Sequence, residues 1–386
     1  MASHAIWAIG FGQLVNWGIL YFAFSVLLIP LEEAFDVPRW LVAGAFSFGL
    51  LVSAAAAPTV GRLADRGQAP AMMRAGGLIA AALLIAWTMV PTLGMTYVIW
   101  GALGLCMASI LYEPVFAIVG RAFTDPDGRL RAIATVTVMG GLASTAFLPG
   151  TSALVIRLGW RGAVVVLAIG LALTSLIVAQ IAFRELAWSA RSIREALPGN
   201  QSREALALPG LTRLAVIFAI SVIVNAAVSS NLVAALIDRG LAPTLAATVA
   251  GTFGIMQLPG RLLMTKRSFT PHPLNLLLFS FTLQVLGLIA LMFHGIEAMW
   301  IGVIMFAGGS GLTTLARPFL VLHEYGPDHA GYANGVIARS QQLARAAGPV
   351  AAAAMAGVTG YGRVFATCGA LLALAMLCSR TRKATG

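Results

Sequence analysis

Apolar residues fall in runs long enough to cross a bilayer, separated by short breaks rich in Pro, Gly and charge. A helix rises 1.5 Å per residue and the hydrocarbon layer is about 30 Å thick, so roughly 20 apolar residues make one crossing. Twelve such runs can be read along the chain: 5–29, 41–60, 72–90, 95–119, 133–156, 162–183, 212–237, 243–263, 273–293, 298–321, 331–357 and 362–379. The expected fold class is an all-α membrane protein of twelve transmembrane helices. The first run extends from near Ala5 to about Ile29 with no Lys or Arg before it, too long for the apolar region of a signal peptide. It is read as an uncleaved first crossing.

The longest break, Arg184 to Arg213, carries Arg191, Arg194, Glu195, Pro198, Gly199, Asn200 and Arg203. It divides the chain into a six-helix bundle over 1–190, a linker over 191–211 and a second six-helix bundle over 212–386. Cytoplasmic loops of membrane proteins are enriched in Lys and Arg. With the N-terminus inside, 17 basic residues fall in cytoplasmic segments and only Arg39, Arg157, Arg161, Arg239 and Arg363 fall outside. This asymmetry supports an even number of crossings with both termini in the cytoplasm. The halves also echo each other in order. Val15-Asn16 matches Val224-Asn225, Gly61-Arg62-Leu63 matches Gly260-Arg261-Leu262, and Glu113-Pro114 matches Arg317-Pro318. Pro149 with Gly159-Trp160-Arg161 matches Pro349 with Gly360-Tyr361-Gly362-Arg363. Such echoes predict two pseudo-symmetric repeats.

Composition agrees with lipid as the solvent. Of 386 residues, 59% are hydrophobic and 10% charged, and mean hydropathy is +0.89. A soluble domain keeps about a quarter of its residues charged. The net charge of +11 sits between apolar runs and forms no long basic tract, so nucleic acid is not an expected partner. Cys106, Cys368 and Cys378 lie in apolar stretches without metal-ligand spacing. No phosphate-cradling Gly-x4-Gly-Lys-Ser/Thr loop occurs, and no His/Asp/Glu cluster marks a membrane enzyme. No cofactor or metal is expected.

The segment Gly61-Arg62-Leu63-Ala64-Asp65-Arg66-Gly67 resembles the loop signature of the major facilitator superfamily, in which Gly, three residues, Asp and Arg precede a further Gly and basic residues. With twelve runs and two repeats, the resemblance covers essentially the whole chain. It implies a transporter of a small solute, with helices 1, 4, 7 and 10 lining a central cavity. It also implies a cytoplasmic latch made by Gly61, Asp65 and Arg66. Asp65 would dock near the start of helix 11 with Arg121 as partner, and Arg339 would serve the same gate. Gly61 is expected to make the tight turn after helix 2. Gly18-Ile19-Leu20-Tyr21-Phe22, Pro30-Leu31-Glu32 and Trp40 resemble the bacterial monocarboxylate-transporter-like branch. Helix 8 carries Gln257 and Arg261 where animal members of that branch carry an Asp/Arg pair. The arginine motif of proton-driven drug antiporters is missing between Tyr97 and Cys106.

Ionisable groups inside a membrane are costly and mark functional sites. Glu113 and Arg317 stand at matching places in helices 4 and 10, each followed by a proline. They are expected to face each other across the cavity, Arg317 binding an anionic substrate and Glu113 carrying a proton. Asn16, Asn225, Tyr21, Tyr112, Arg345 and Gln257 complete the candidate substrate site, with helix packing as the alternative role of each. The expected function is secondary active transport of an organic anion by a monomer in the bacterial inner membrane, coupled to protons. Efflux of amphipathic compounds and a non-transporting sensor on the same fold stay open as alternatives.

Overall fold

The computed structural model describes residues 2–122, 126–186, 208–259 and 272–380, and every element among them is helical. The chain forms two compact units, Met1–Glu195 and Ala196–Gly386. In the first, α1 (Ala2–Trp17), a π-helical turn (Gly18–Phe22) and α2 (Ala23–Phe35) make one interrupted rod. It is followed by α3 (Arg39–Asp65), α4 (Ala69–Thr88), α5 (Leu93–Ile110), α6 (Tyr112–Ala122), α7 (Pro126–Gly141) and α8 (Ala143–Leu186). The second unit holds α9 (Leu211–Ile237), α10 (Pro243–Met256), α11 (Pro273–Ala290), α12 (Ile296–Thr359) and α13 (Tyr361–Arg380). Most of the expected linker lies outside the described residues.

Nine helices among the described residues are long and apolar enough to cross a membrane, and Pro243–Met256 is a shorter apolar one. The stretch Ala132–Ile181 covers 50 residues, about 75 Å of helix and more than two bilayer cores. It reverses at Gly159, whose φ of 67° side chains with a Cβ rarely adopt. Likewise α12 has 64 residues, yet Arg317 hydrogen-bonds Gln341, 24 positions on. A straight helix would separate them by about 36 Å, so α12 folds back between them. Pro318 and Pro327 lie in that interval.

Within each unit the first rod runs alongside the fifth in the same direction. Gly10 on α1 abuts Met139, and Gly18 abuts the Phe147 ring. On α9, Ala215 accepts from Ser340 Oγ at 3.3 Å and Asn231 donates to the Pro349 carbonyl at 3.2 Å. The repeat seen in the sequence is thus also a repeat of pairings.

Small residues let neighbouring helices approach closely. A Cβ at Gly309 would lie 2.5 Å from the Ser280 carbonyl oxygen, and at Gly311 it would lie 2.7 Å from that of Gln257. Gly104 meets the Gly49 carbonyl and Gly101 the Phe48 ring just as closely. Gly308 differs, because a Cβ there would make ordinary contact at 3.5 Å. One end of the first unit is filled by rings. Phe24 stacks on Phe46 at 4.6 Å, Trp100 meets both edge-on, and Trp87 meets Trp100 at 5.5 Å. The Trp87 indole N–H reaches Thr96 Oγ1 at 3.2 Å. Such ring pairs contribute about 0.5–1.5 kcal/mol each beyond area burial.

Candidate functional site

In the first unit the candidate residues gather where two helices are irregular at once. Proline lacks an N–H, so Pro114 cannot bond the carbonyl four residues back, which is that of Ile110. The helix breaks there: Leu111 is extended, with φ −79° and ψ −157°, between α5 and α6. The freed carbonyl accepts two side-chain amides from α1, Gln13 Nε2 at 2.7 Å and Asn16 Nδ2 at 3.2 Å. Positions three apart share one helix face, so both reach the same acceptor. One residue beyond Asn16, Trp17 lies 5.4 Å from Tyr21 and 5.0 Å from Tyr112. Tyr112 stacks on Phe116 at 5.3 Å, and its hydroxyl rests against Gly140. Tyr21 is buried in the π turn against Phe46 and Phe22. Asn16, Tyr21 and Tyr112 are therefore brought together, with Asn16 and Tyr21 buried and Tyr112 half-buried. Glu113 is the second residue of α6, about 20 residues past the start of α5, and its side chain lies outside the described residues.

In the second unit, Arg317 is half-buried on α12, about 21 residues past Ile296. Its Nη1 donates to Gln341 Oε1 on the returning half of α12, and Gln341 Nε2 donates to the Phe218 carbonyl of α9 at 3.4 Å. Asn225 Nδ2 donates to Ser310 Oγ, tying α9 to the first half of α12. Arg345 is half-buried and Arg339 exposed. Gln257 follows α10, its main chain against Gly311. Gln13 and Gln341 were not among the candidates. The available signals were an amide pair spaced i, i+3 on an apolar helix and an amide four residues before Arg345.

The loop signature needs one correction. Gly61 lies inside α3, where nothing stands within 4 Å of a Cβ built on it, and it makes no turn. Gly67 makes the turn, with φ 82°. Gln68 N–H bonds the Leu63 carbonyl at 3.1 Å and Gly67 N–H that of Ala64 at 2.9 Å. This is a Schellman cap, and it holds α3 helical through Asp65. Arg66 is exposed, whereas the side chains of Asp65 and Arg121 lie outside the described residues.

Three of the five arginines expected on the outer face hold polar partners at element ends. Arg39 pairs with Glu32 at 2.7 Å, and Arg161 Nε donates to the Thr88 carbonyl, the last of α4, at 3.0 Å. Arg239 donates to the carbonyls of Leu291 and Phe293 beyond α11, the second at 3.2 Å. A cation at a helix C-terminus meets the negative end of its dipole. Burial pulls the Arg239 guanidinium below the usual arginine value, and it stays protonated at any physiological pH. Among the described residues no three His, Cys, Asp or Glu side chains form a metal cluster.

A sequence model of the Major Facilitator Superfamily matches residues 6–349. No curated protein sequence matches the chain. Among solved structures, a bacterial homologue of the human lysosomal transporter Spinster, inward-facing and unoccupied, is similar with a TM-score of 0.72 at 15% identity, over 98% of this chain and 97% of that one. The nucleoside transporter NupG is similar with a TM-score of 0.75 at 12% identity, over 98% and 99%. The human organic anion transporter MFSD10 (TETRAN) is similar with a TM-score of 0.68 at 16% identity, over 98% and 99%. At these identities the likeness is one of fold.

Proposed function

Because the chain belongs to the Major Facilitator Superfamily, we propose that this multi-pass membrane transporter is a secondary active carrier moving a small organic anion, a carboxylate, by alternating access. The observation that carries the reading is Arg317. It sets a guanidinium inside an apolar helix, hydrogen-bonded to the amide of Gln341. Its forked donors suit a carboxylate. The carboxylates of residues 212–386 are Asp238, Glu297, Glu324 and Asp328. Asp238 follows α9, Glu297 lies in the first turn of α12, and Glu324 and Asp328 lie beyond Arg317 toward the fold-back of α12. The balance of this half is therefore basic, and half-buried Arg345 is the proposed second anion contact. Organic anions are among the cargoes of similar folds, as the name of MFSD10 records, beside the nucleosides of NupG.

Glu113 is the proposed proton carrier. Gly67 shapes, and Asp65 and Arg66 supply, the proposed cytoplasmic latch, with Arg121 and Arg339 as gate residues. Twelve crossings, both termini in the cytoplasm and a place in the bacterial inner membrane complete the reading. The sub-branch resemblance makes monocarboxylates the first cargoes to try.

The test is uptake of labelled lactate, pyruvate and benzoate into proteoliposomes, with and without an inward proton gradient. Saturable uptake of one of them, stimulated by the gradient, is the expected result. Transport confined to cationic or neutral amphiphiles would overturn the anion reading in favour of efflux.

A further inference from the structure

We propose that Gln13 is a positioning residue. Its side-chain amide, with that of Asn16, replaces the backbone hydrogen bond that Pro114 removes, and so fixes the break that aims the helix carrying Tyr112 and Glu113. The functional weight of this inference rests on the transporter reading above, but the clamp itself does not.

A backbone carbonyl released inside an apolar protein needs new donors, because no bulk water is there to supply them. A carbonyl oxygen has two lone pairs. At Ile110 both are engaged, by Gln13 Nε2 at 2.7 Å and Asn16 Nδ2 at 3.2 Å. Gln13 is fully buried, with 0% of its surface exposed. Its own Oε1 has no hydrogen-bond partner among the described residues. Burying an unsatisfied amide oxygen is unfavourable, and Leu or Met would fill the same space without that cost. The residue is therefore explained by what its N–H donates to, not by what its oxygen receives. Asn16 has a second neighbourhood: with Thr174 and Ser175 it borders a cavity of about 20 Å³, room for one water.

The placement gives the clamp a consequence. Leu111 is extended because its helix is released at Ile110, and the next residue, Tyr112, opens α6. The direction of α6 is set where the clamp holds, and the stack of Trp17, Tyr112 and Phe116 follows from it. The adjoining π turn at Gly18–Phe22 brings Tyr21 onto Trp17 from the other side. Two helix irregularities thus share one polar fastening, made by residues 97 and 94 positions apart in sequence.

The experiment is a double-mutant cycle of Gln13→Leu and Pro114→Ala on the full chain in detergent or nanodiscs. It is read by hydrogen exchange of the main-chain amides at 111–113 and 115–116 and by the thermal midpoint. Gln13→Leu should speed exchange at those amides at least about tenfold and lower the midpoint by about 3–6 °C, while amides of α4 and α8 keep their protection. Pro114→Ala restores an N–H aimed at the Ile110 carbonyl. In that background Gln13→Leu should retain less than about a third of its effect. Equal effects of Gln13→Leu in both backgrounds would overturn the proposal, as would exchange rising evenly through the first unit. If Gln13→Leu folds too poorly to purify, Asn16→Leu removes the longer bond and enters the same cycle. Uptake of the carboxylate identified above should show a raised KM in Gln13→Leu. Should no carboxylate be transported, the exchange cycle still decides the clamp.

Discussion

Replacing Arg317 by Gln probes the substrate reading most directly. The amide of Gln can still donate toward Gln341 Oε1, so the link to the returning half of α12 is kept in kind while the charge is lost. A unit positive charge about 4 Å from a carboxylate contributes about 4 kcal/mol at an effective dielectric of 20. Desolvation of the anion offsets part of that, and hydrogen bonds to charged groups contribute about 1.5–3 kcal/mol net. At about 1.4 kcal/mol per factor of ten, the expected rise in KM is about 10- to 150-fold. Lys at 317 keeps the charge but not the fork, so its loss should be smaller, about 3- to 10-fold. The assay is concentration-dependent uptake into proteoliposomes, with thermal midpoints of each variant measured beside it. An Arg317→Gln protein with an unchanged midpoint and an unchanged KM would refute the reasoning, because the charge would then have no part in binding.

Gly67→Ala should lower stability by about 1 kcal/mol or more, because φ of 82° strains any residue with a Cβ, whereas Gly61→Ala inside α3 should be neutral or stabilising by up to about 1 kcal/mol. The two thermal midpoints, moving in opposite senses, check which glycine turns the chain. Asn231, 2% exposed, donates to the Pro349 carbonyl at 3.2 Å and accepts from the Tyr361 hydroxyl at 3.3 Å. Asn231→Leu should cost about 1–2 kcal/mol of unfolding stability with little change in KM. Glu113→Gln should make uptake insensitive to an imposed proton gradient, and stimulation that persists in that variant would rule out Glu113 as the proton carrier.

Much of the fold was legible because lipid imposes a simple rule on sequence. Apolar runs became rods, and Gly159 and the Gly295–Ile296 boundary fell where breaks were expected. The rule is blind to irregularity inside a run. The span expected at 5–29 holds a π turn at Gly18–Phe22 and continues to Phe35, where Asp36 ends it in a left-handed conformation. Nothing in apolar periodicity distinguishes a π turn from an α turn. Pro114 announced which bond would be lost, but not that Gln13 would replace it from across the unit, because donor and acceptor lie 97 residues apart. In the loop signature the pattern of residues was read correctly and the turn assigned to the wrong glycine. Backbone sign, not residue identity, separates Gly61 from Gly67. Asn16 and Asn225 were picked out as polar groups on apolar helices, and both bond to neighbouring helices here.

The arginines at these helix ends bear on how such a machine can move. Arg161 fastens the last carbonyl of α4 to the turn after Gly159, and Tyr97 fastens the Leu41 carbonyl at 2.8 Å. In the other half, Arg239 staples the close of α9 to the close of α11. Each half is thereby laced along one edge by charged or phenolic stitches that no rearrangement of single rods can keep intact. Motion that preserves the stitches must carry the joined rods together, as a hull rolls with its planking.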